Sequence, residues 1–211
     1  DRAPIKIAAR FLWETRAVLN ILSSARRLVS VLFETTIQWR FLRCLLSAFT
    51  IRPALAADLP AIVAIYNSTV AGRQSTADLQ PVTVADRQPW FAAHRDNRPL
   101  FVAVDDGGAV CAWGSFSDYY PRAAYHISAE ISIYVAPERR GAGLGGQLLD
   151  FMLARAPALA IRRVLAVVFA HNAPSLALFR KHGFADWGLL PQVCDLQSFT
   201  ADIVILGKSL D

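Results

Sequence analysis

Three features of the chain predict an α/β domain of the α+β kind. Ile127 to Val135, rich in β-branched and aromatic residues, breaks at Pro137 into a basic, glycine-rich loop, Glu138-Arg-Arg-Gly-Ala-Gly-Leu-Gly145, and an apolar helix follows from near Gly146. Asp105-Asp-Gly-Gly108 separates two short apolar runs, as a hairpin turn does. Val164 to Ala170 is an almost continuous apolar run, as expected of a strand covered on both faces.

In order along the chain, a short strand around Ile51 precedes a helix from about Asp58 to Val70, with Asp58 as N-cap and Pro60 in the first turn. Thr83-Val-Ala-Asp86 has the form of a capping box with Asp in place of Glu, so a second helix carrying Trp90 and Phe91 starts there. Leu100 to Val104 and Ala109 to Phe116 are the strands of the hairpin, followed by the Ile127 to Val135 strand, the loop and a helix that Pro157 closes. After Val164 to Ala170, His171-Asn-Ala-Pro174 leads into a helix to about His182, with Gly183 as its C-cap. Alternation over Phe184 to Leu190 and Val193 to Leu206 predicts two closing strands.

Two hundred and eleven residues suffice for one full hydrophobic core and are few for two, so one domain, residues 51–211, plus an appendage, residues 1–50, is expected. The appendage lacks glycine, mixes arginine with leucine and isoleucine, and begins with Asp. It fits a targeting-like presequence, an amphipathic surface helix or an upstream stretch included by a wrong start site. It holds eight Lys and Arg against three acids, the whole net charge of +5, while residues 51–211 carry fourteen of each. A neutral domain argues against nucleic-acid binding through a broad basic face. Uncharged stretches such as Ala17 to Ala25 fall well short of the roughly 20 residues that span a bilayer, so no membrane segment is expected. Cys44, Cys111 and Cys194 are odd in number and lack metal-ligand spacing, which argues against a zinc site or disulfide framework and for a reducing cytoplasm.

The segment Gly141-Ala-Gly-Leu-Gly-Gly146 matches Gly-x-Gly-x-x-Gly, yet a dinucleotide site needs an acid about 20 residues on, and Ile161 to Ala170 has none. As Gly-x-x-x-x-Gly it fails as a nucleotide P-loop, because Gln147 and Leu148 replace the Lys and Ser/Thr. Arg140-Gly-Ala-Gly-Leu-Gly145 fits Arg/Gln-x-x-Gly-x-Gly after a strand ending in Tyr-Val-x-Pro. With Arg122-x-Ala-Tyr125, Ala129-Glu-Ile-Ser-Ile-Tyr-Val135, Asn172-Ala-Pro-Ser175 and Leu178-Phe-Arg-Lys-His-Gly-Phe184, the chain from about Ile51 to Leu210 resembles the GNAT family of acetyl-CoA-dependent N-acyltransferases. Within it, the chain resembles the phosphinothricin/methionine sulfone N-acetyltransferase group. The resemblance implies a GNAT fold: a mixed, mostly antiparallel twisted sheet of about six to seven strands with about four helices, splayed to admit acetyl-CoA.

Helix N-termini favour anions, so Arg140, Gly141, Ala142, Gly143, Leu144, Gly145 and Gly146 are expected to cradle the pyrophosphate of acetyl-CoA. The resemblance implies that the arm of acetyl-CoA lies in the splay, pairs with backbone near Ile133, Tyr134 and Val135, and has its thioester carbonyl polarised there. Asn172 matches a CoA-contacting asparagine of the family and equally suits an N-cap; Ser175 is the weaker carry-over.

A primary amine with a pKa of about 10.4 is protonated at pH 7 and must lose a proton before it attacks. Glu130 matches the family's base and shares a strand face with Ser132 and Tyr134, although a strand glutamate also suits a surface salt bridge. Phe179 stands where the family has a proton-donating Tyr or His; His182, His171, a tyrosine from another strand, or water are the alternatives, or none is needed. For the acceptor the resemblance points to Arg122 and Tyr125, and to Arg73, Ser75 and Thr76 in the loop after the first helix, which also read as solvated loops. The expected activity is direct acetyl transfer to a small amino-acid-like amine by a cytoplasmic homodimer. Protein or peptide N-acetylation and non-catalytic acyl-CoA sensing are the alternatives.

Overall fold

The computed structural model describes residues 49–211; the expectations for residues 1–48 lie outside the described residues. One seven-stranded sheet organises them: β1 (Thr50–Pro53), β2 (Leu100–Val104), β3 (Val110–Asp118), β4 (Ser128–Val135), β5 (Arg163–Phe169), β6 (Ala185–Asp195) and β7 (Thr200–Ser209), in the order β1-β2-β3-β4-β5-β7-β6. Every pairing is antiparallel except β4 with β5. Four α-helices accompany it among the described residues: α1 (Leu59–Val70), α2 (Val84–Ala92), α3 (Leu144–Arg155) and α4 (Ala173–Lys181). None is long and apolar enough to cross a membrane.

Period-2 alternation sends successive strand residues to different helices. In β2, Phe101 and Ala103 join a core with Leu144, Leu148, Leu149 and Met152 of α3 and Leu176 and Phe179 of α4. Leu100, Val102 and Val104 pack instead with Ile62, Ile65, Tyr66 and Val70 of α1. β2 is therefore buried throughout, as a strand covered on both faces must be.

Local signals place most elements. Thr83 accepts the Asp86 N–H while Asp86 accepts the Thr83 N–H, a reciprocal cap of a kind that stabilises a helix start by about 1 kcal/mol. Gly183 takes φ 82° just past α4, and the Asp105 carboxylate ties down the Gly107 and Ala109 N–H groups of the hairpin turn.

Three expectations need correction. Asp58 does not cap α1: its backbone is already helical, so its carboxylate turns back to accept from Leu55 N–H and to pair with Arg52 at 2.7 Å. The Arg52 guanidinium holds that carboxyl below the usual range. The closing hairpin breaks between Asp195 and Thr200 rather than at Pro191, where β6 absorbs a register shift between Leu190 and Cys194. Val167 of β5 is exposed amid buried neighbours, because β4 separates from β5 beside it.

That separation shapes the centre of the molecule. β4 pairs with β5 only through Ser128↔Arg163, Ala129↔Val164 and Glu130↔Leu165. Beyond Glu130, β4 stays with β3 as far as Ala112↔Val135 while β5 stays with β7 as far as Phe169↔Ile203, and the two strands diverge.

Candidate active site

Three cavities lie along this divergence. The first, about 320 Å³, runs between the separated strands and is lined by Ile131 and Ile133 of β4, Val167 and Phe169 of β5, and Asn172 and Phe179. The second, about 330 Å³, lies at the loop before α3 and is lined by Val135, Arg140, Gly141, Gly143 to Gly146, Ser175 and Leu178. The third, about 220 Å³, lies on the α1 and α2 face of the sheet and contains Glu130. Ser132 lines the first and third cavities, and Tyr134 lines all three.

Strand register builds the third cavity. Glu130, Ser132 and Tyr134 alternate on one face of β4, opposite Ser117, Ser115 and Trp113 of β3, and all six line it. Tyr66 of α1 and Trp90 of α2 close it, with Trp113 stacked on Tyr134 at 4.4 Å between centroids and Trp90 edge-on to Trp113 at 5.6 Å. The Glu130 carboxyl has no hydrogen bond or ion pair among the described residues, so the surface salt bridge is not formed. Burial pushes its pKa above the usual carboxylate range. Burial likewise raises the Tyr134 phenol, which donates to Ser75 O at 2.9 Å.

The loop before α3 has the geometry of an anion cradle. Gly141 and Gly143 adopt φ 76° and 82°, a backbone region that a side chain disfavours, and Gly143 occupies the N-cap of α3, which starts at Leu144, two residues earlier than expected. Leu144 is buried in the core and anchors the first turn, in which the Gly146 and Gln147 N–H groups bond to Gly143 O while a helix leaves the N–H groups ahead of them, those of Leu144 and Gly145, without intrahelical partners. Arg140 is exposed and donates from Nε to Val135 O at 3.1 Å, tying the loop to the end of β4. Arg139 pairs with Asp105 of the hairpin at 2.7 Å.

The loop between α1 and α2 bridges the mouth of the divergence. Asn172 accepts the Ser175 N–H as N-cap of α4 and donates from Nδ2 to Gln74 O at 2.7 Å; His171 Nε2 donates to Arg73 O. Ser75 and Thr76 line the interstrand cavity rather than the Glu130 cavity, and the Arg73 guanidinium turns back to Asp78 O. Phe179 is buried in the interstrand wall, where it has no proton to give. Neither His171 nor His182 lines the three cavities; His182 donates from Nδ1 to Leu178 O and faces Asp150.

Arg122 and Tyr125 are not brought to these cavities. They sit on an exposed segment between β3 and β4, where the Arg122 guanidinium lies over the Tyr120 ring and Tyr125 packs with Tyr119 and Tyr120. The guanidinium that does line the Glu130 cavity is that of Arg87, which the sequence reading missed. Its one sequence signal was its place in the first turn after the Thr83 cap, which also suits a solvated helix face.

Residues 61–184 match the family described as the acetyltransferase (GNAT) family. A Bacillus subtilis (strain 168) protein, provisionally named phosphinothricin acetyltransferase YwnH, is 51% identical over 161 residues, covering 76% of this chain and 99% of the relative. An L-methionine sulfoximine/L-methionine sulfone acetyltransferase of Pseudomonas paraeruginosa (strain DSM 24068 / PA7) is 37% identical over 163 residues, covering 77% and 95%. The crystal structure of a GNAT superfamily phosphinothricin acetyltransferase from Sinorhizobium meliloti in complex with acetyl-CoA superposes with a TM-score of 0.73 at 34% identity, covering 77% and 88%.

Proposed function

The chain belongs to the acetyltransferase (GNAT) family and is an acetyl-CoA-dependent N-acetyltransferase, and on that premise we propose that its acceptor is the primary amine of a small, amino-acid-like molecule. The observation that carries the proposal is the Glu130 carboxyl, unpartnered among the described residues, in a cavity of about 220 Å³ that shares Ser132 and Tyr134 with the interstrand cavity. That volume lies below the roughly 300–1,000 Å³ of drug-sized pockets and suits one amino acid better than a polypeptide segment. Relatives named for methionine sulfoximine, methionine sulfone and phosphinothricin point the same way.

The residues present fit acetyl-CoA. Open space surrounds the positions where Cβ atoms would stand on Gly141 and Gly143, so backbone can approach a pyrophosphate there. The departure of β5 leaves an edge of β4 from Ile131 to Val135 available to an extended arm. When bound, acetyl-CoA supplies the activated acetyl group as a thioester. Glu130 then takes the proton of the incoming ammonium, its raised pKa bringing it closer to neutrality than an ordinary glutamate. β4 backbone near Ile133 to Val135 supplies the hydrogen bond that polarises the acetyl carbonyl. A thiol with a pKa of about 8.5 leaves as thiolate without an obligatory donor, so Phe179 does not block the reaction.

A free-thiol assay with acetyl-CoA against methionine sulfone, phosphinothricin, free amino acids and short peptides tests the acceptor class. Turnover with the first two is expected; turnover with peptides alone would overturn it.

The same reading includes a cytoplasmic homodimer. β6 is an edge strand with Trp187, Leu189, Leu190 and Val193 each at least 42% exposed, an apolar edge that a second copy would cover. Sedimentation under reducing conditions should give a dimer; a monomer at high micromolar concentration, or recovery of the chain outside the cytosol on fractionation, would contradict it.

A further inference from the structure

We infer that Arg87 is the specificity-determining residue of the acceptor site, holding the carboxylate of a zwitterionic acceptor whose ammonium group lies at Glu130. The inference rests on the amine-acetylation reading above and goes beyond it by naming the group that recognises the acceptor's acid.

Arg87 and Glu130 line the same cavity, whose remaining walls are Ile62 and Val63 of α1, four aromatic rings and the serines of β3 and β4. Such a cavity sets one cation and one acid among aromatic rings, two aliphatic side chains and serine hydroxyls. Its charges complement a molecule that carries an ammonium and a carboxylate, and desolvation makes each unmatched charge costly.

The guanidinium is held in place for the task. Among the described residues it donates one hydrogen bond, from Nη2 to Asp78 Oδ2 at 3.0 Å, while lying over the Tyr66 ring at 4.2 Å and near the Trp90 ring at 5.5 Å. Asp78 is itself fixed by Tyr66 Oη, which donates to it at 2.6 Å, and by its own N–H, which donates to Thr76 Oγ1. Arginine has five donors in a planar fork, so after Asp78 has taken one Nη2 proton the other Nη2 N–H and an adjacent N–H, at Nε or Nη1, remain for a bidentate carboxylate. Asp78 is accordingly a positioning residue. It also links the acceptor cavity to the loop at the mouth of the interstrand cavity, since Thr76 lines the latter.

Methionine sulfone and its decarboxylated counterpart, 3-(methylsulfonyl)propylamine, differ in the carboxylate and in the amine pKa that it lowers, and the change in their ratio between wild type and variant isolates the carboxylate contact. Wild type should prefer the carboxylate-bearing amine in kcat/KM, and Arg87→Gln should collapse that preference by about 10- to 100-fold, chiefly through acceptor KM, with KM for acetyl-CoA held. Arg87→Lys should recover part of it. A variant that slows both amines equally would make Arg87 purely structural and overturn the inference. So would a wild type that shows no preference, a result that requires no variant to fold. Calorimetric titration of methionine sulfone into the CoA-loaded enzyme reads the same contact without turnover. Binding lost in Arg87→Gln supports it, and equal binding by both proteins refutes it. Wild-type turnover of the decarboxylated amine alone would sink the Arg87 inference while leaving amine acetylation standing; no binding and no turnover of any amine would sink both.

Discussion

Glu130→Gln should lower kcat/KM for the amine acceptor by about 100-fold or more at pH 7, with the deficit shrinking as pH rises toward the amine's own pKa. Removal of a general base costs on the order of 10²- to 10⁴-fold, and the loss is greatest where the acceptor is almost wholly protonated. Because burial raises the Glu130 pKa, the acidic limb of the wild-type profile should lie above that of an ordinary glutamate. Below that limb the base is protonated and idle, and the variant should lack the limb altogether. Superimposable pH profiles would remove Glu130 from the reaction. The same burial carries a stability consequence of opposite sign. A carboxyl whose folded pKa exceeds its unfolded one favours the native state at low pH, and that contribution disappears as pH rises through the folded value. Glutamine carries no charge to bury, and the carboxyl has no ion pair among the described residues to forfeit, so the variant should melt at a higher temperature than wild type at pH 7. A less active and less stable variant would point to disrupted packing instead.

Gly143→Ala should raise KM for acetyl-CoA by about ten-fold, with a smaller effect on kcat. Nothing lies within 4 Å of where its Cβ would stand, so no clash is introduced. The cost is conformational: φ 82° is left-handed, and an L-residue there loses roughly 1–2 kcal/mol, or about ten-fold in the population of the native loop. That loop population is what presents the first-turn N–H groups of α3 to a pyrophosphate. Gly108→Ala is the matched control, because Gly108 has φ 80°, equally open space and a place in the hairpin turn. It should lose similar stability and keep KM for acetyl-CoA. An equal rise in KM for both variants would assign the effect to global destabilisation and withdraw the cradle.

The parts readable from sequence share one property: each depends on a few neighbours in the chain. The Thr83 to Asp86 cap, the Asp105 to Gly108 turn and the Gly183 terminus follow from local hydrogen bonding and from the glycine backbone. Placing Glu130, Ser132 and Tyr134 on one face needed only the period of a strand. The misreadings concern groups whose partners lie elsewhere. Asp58 looked like a cap until Arg52, on β1, proved to be its partner. Val167 looked doubly covered because nothing in its own run records that β4 departs from β5.

By itself, then, the sequence determined the strand, the glycine loop, the helix after it and the face that Glu130 occupies, since short-range geometry enforces all of them. Only the tertiary structure decided which arginine reaches that face. Arg122, eight positions before Glu130, rests on Tyr120 at the surface, whereas Arg87, forty-three positions before Glu130, is carried over the sheet by α2 and clamped by Asp78. Helix-on-sheet packing is set by burial of Tyr66, Trp90 and Trp113 from three separate elements, and no local rule in the chain encodes that meeting.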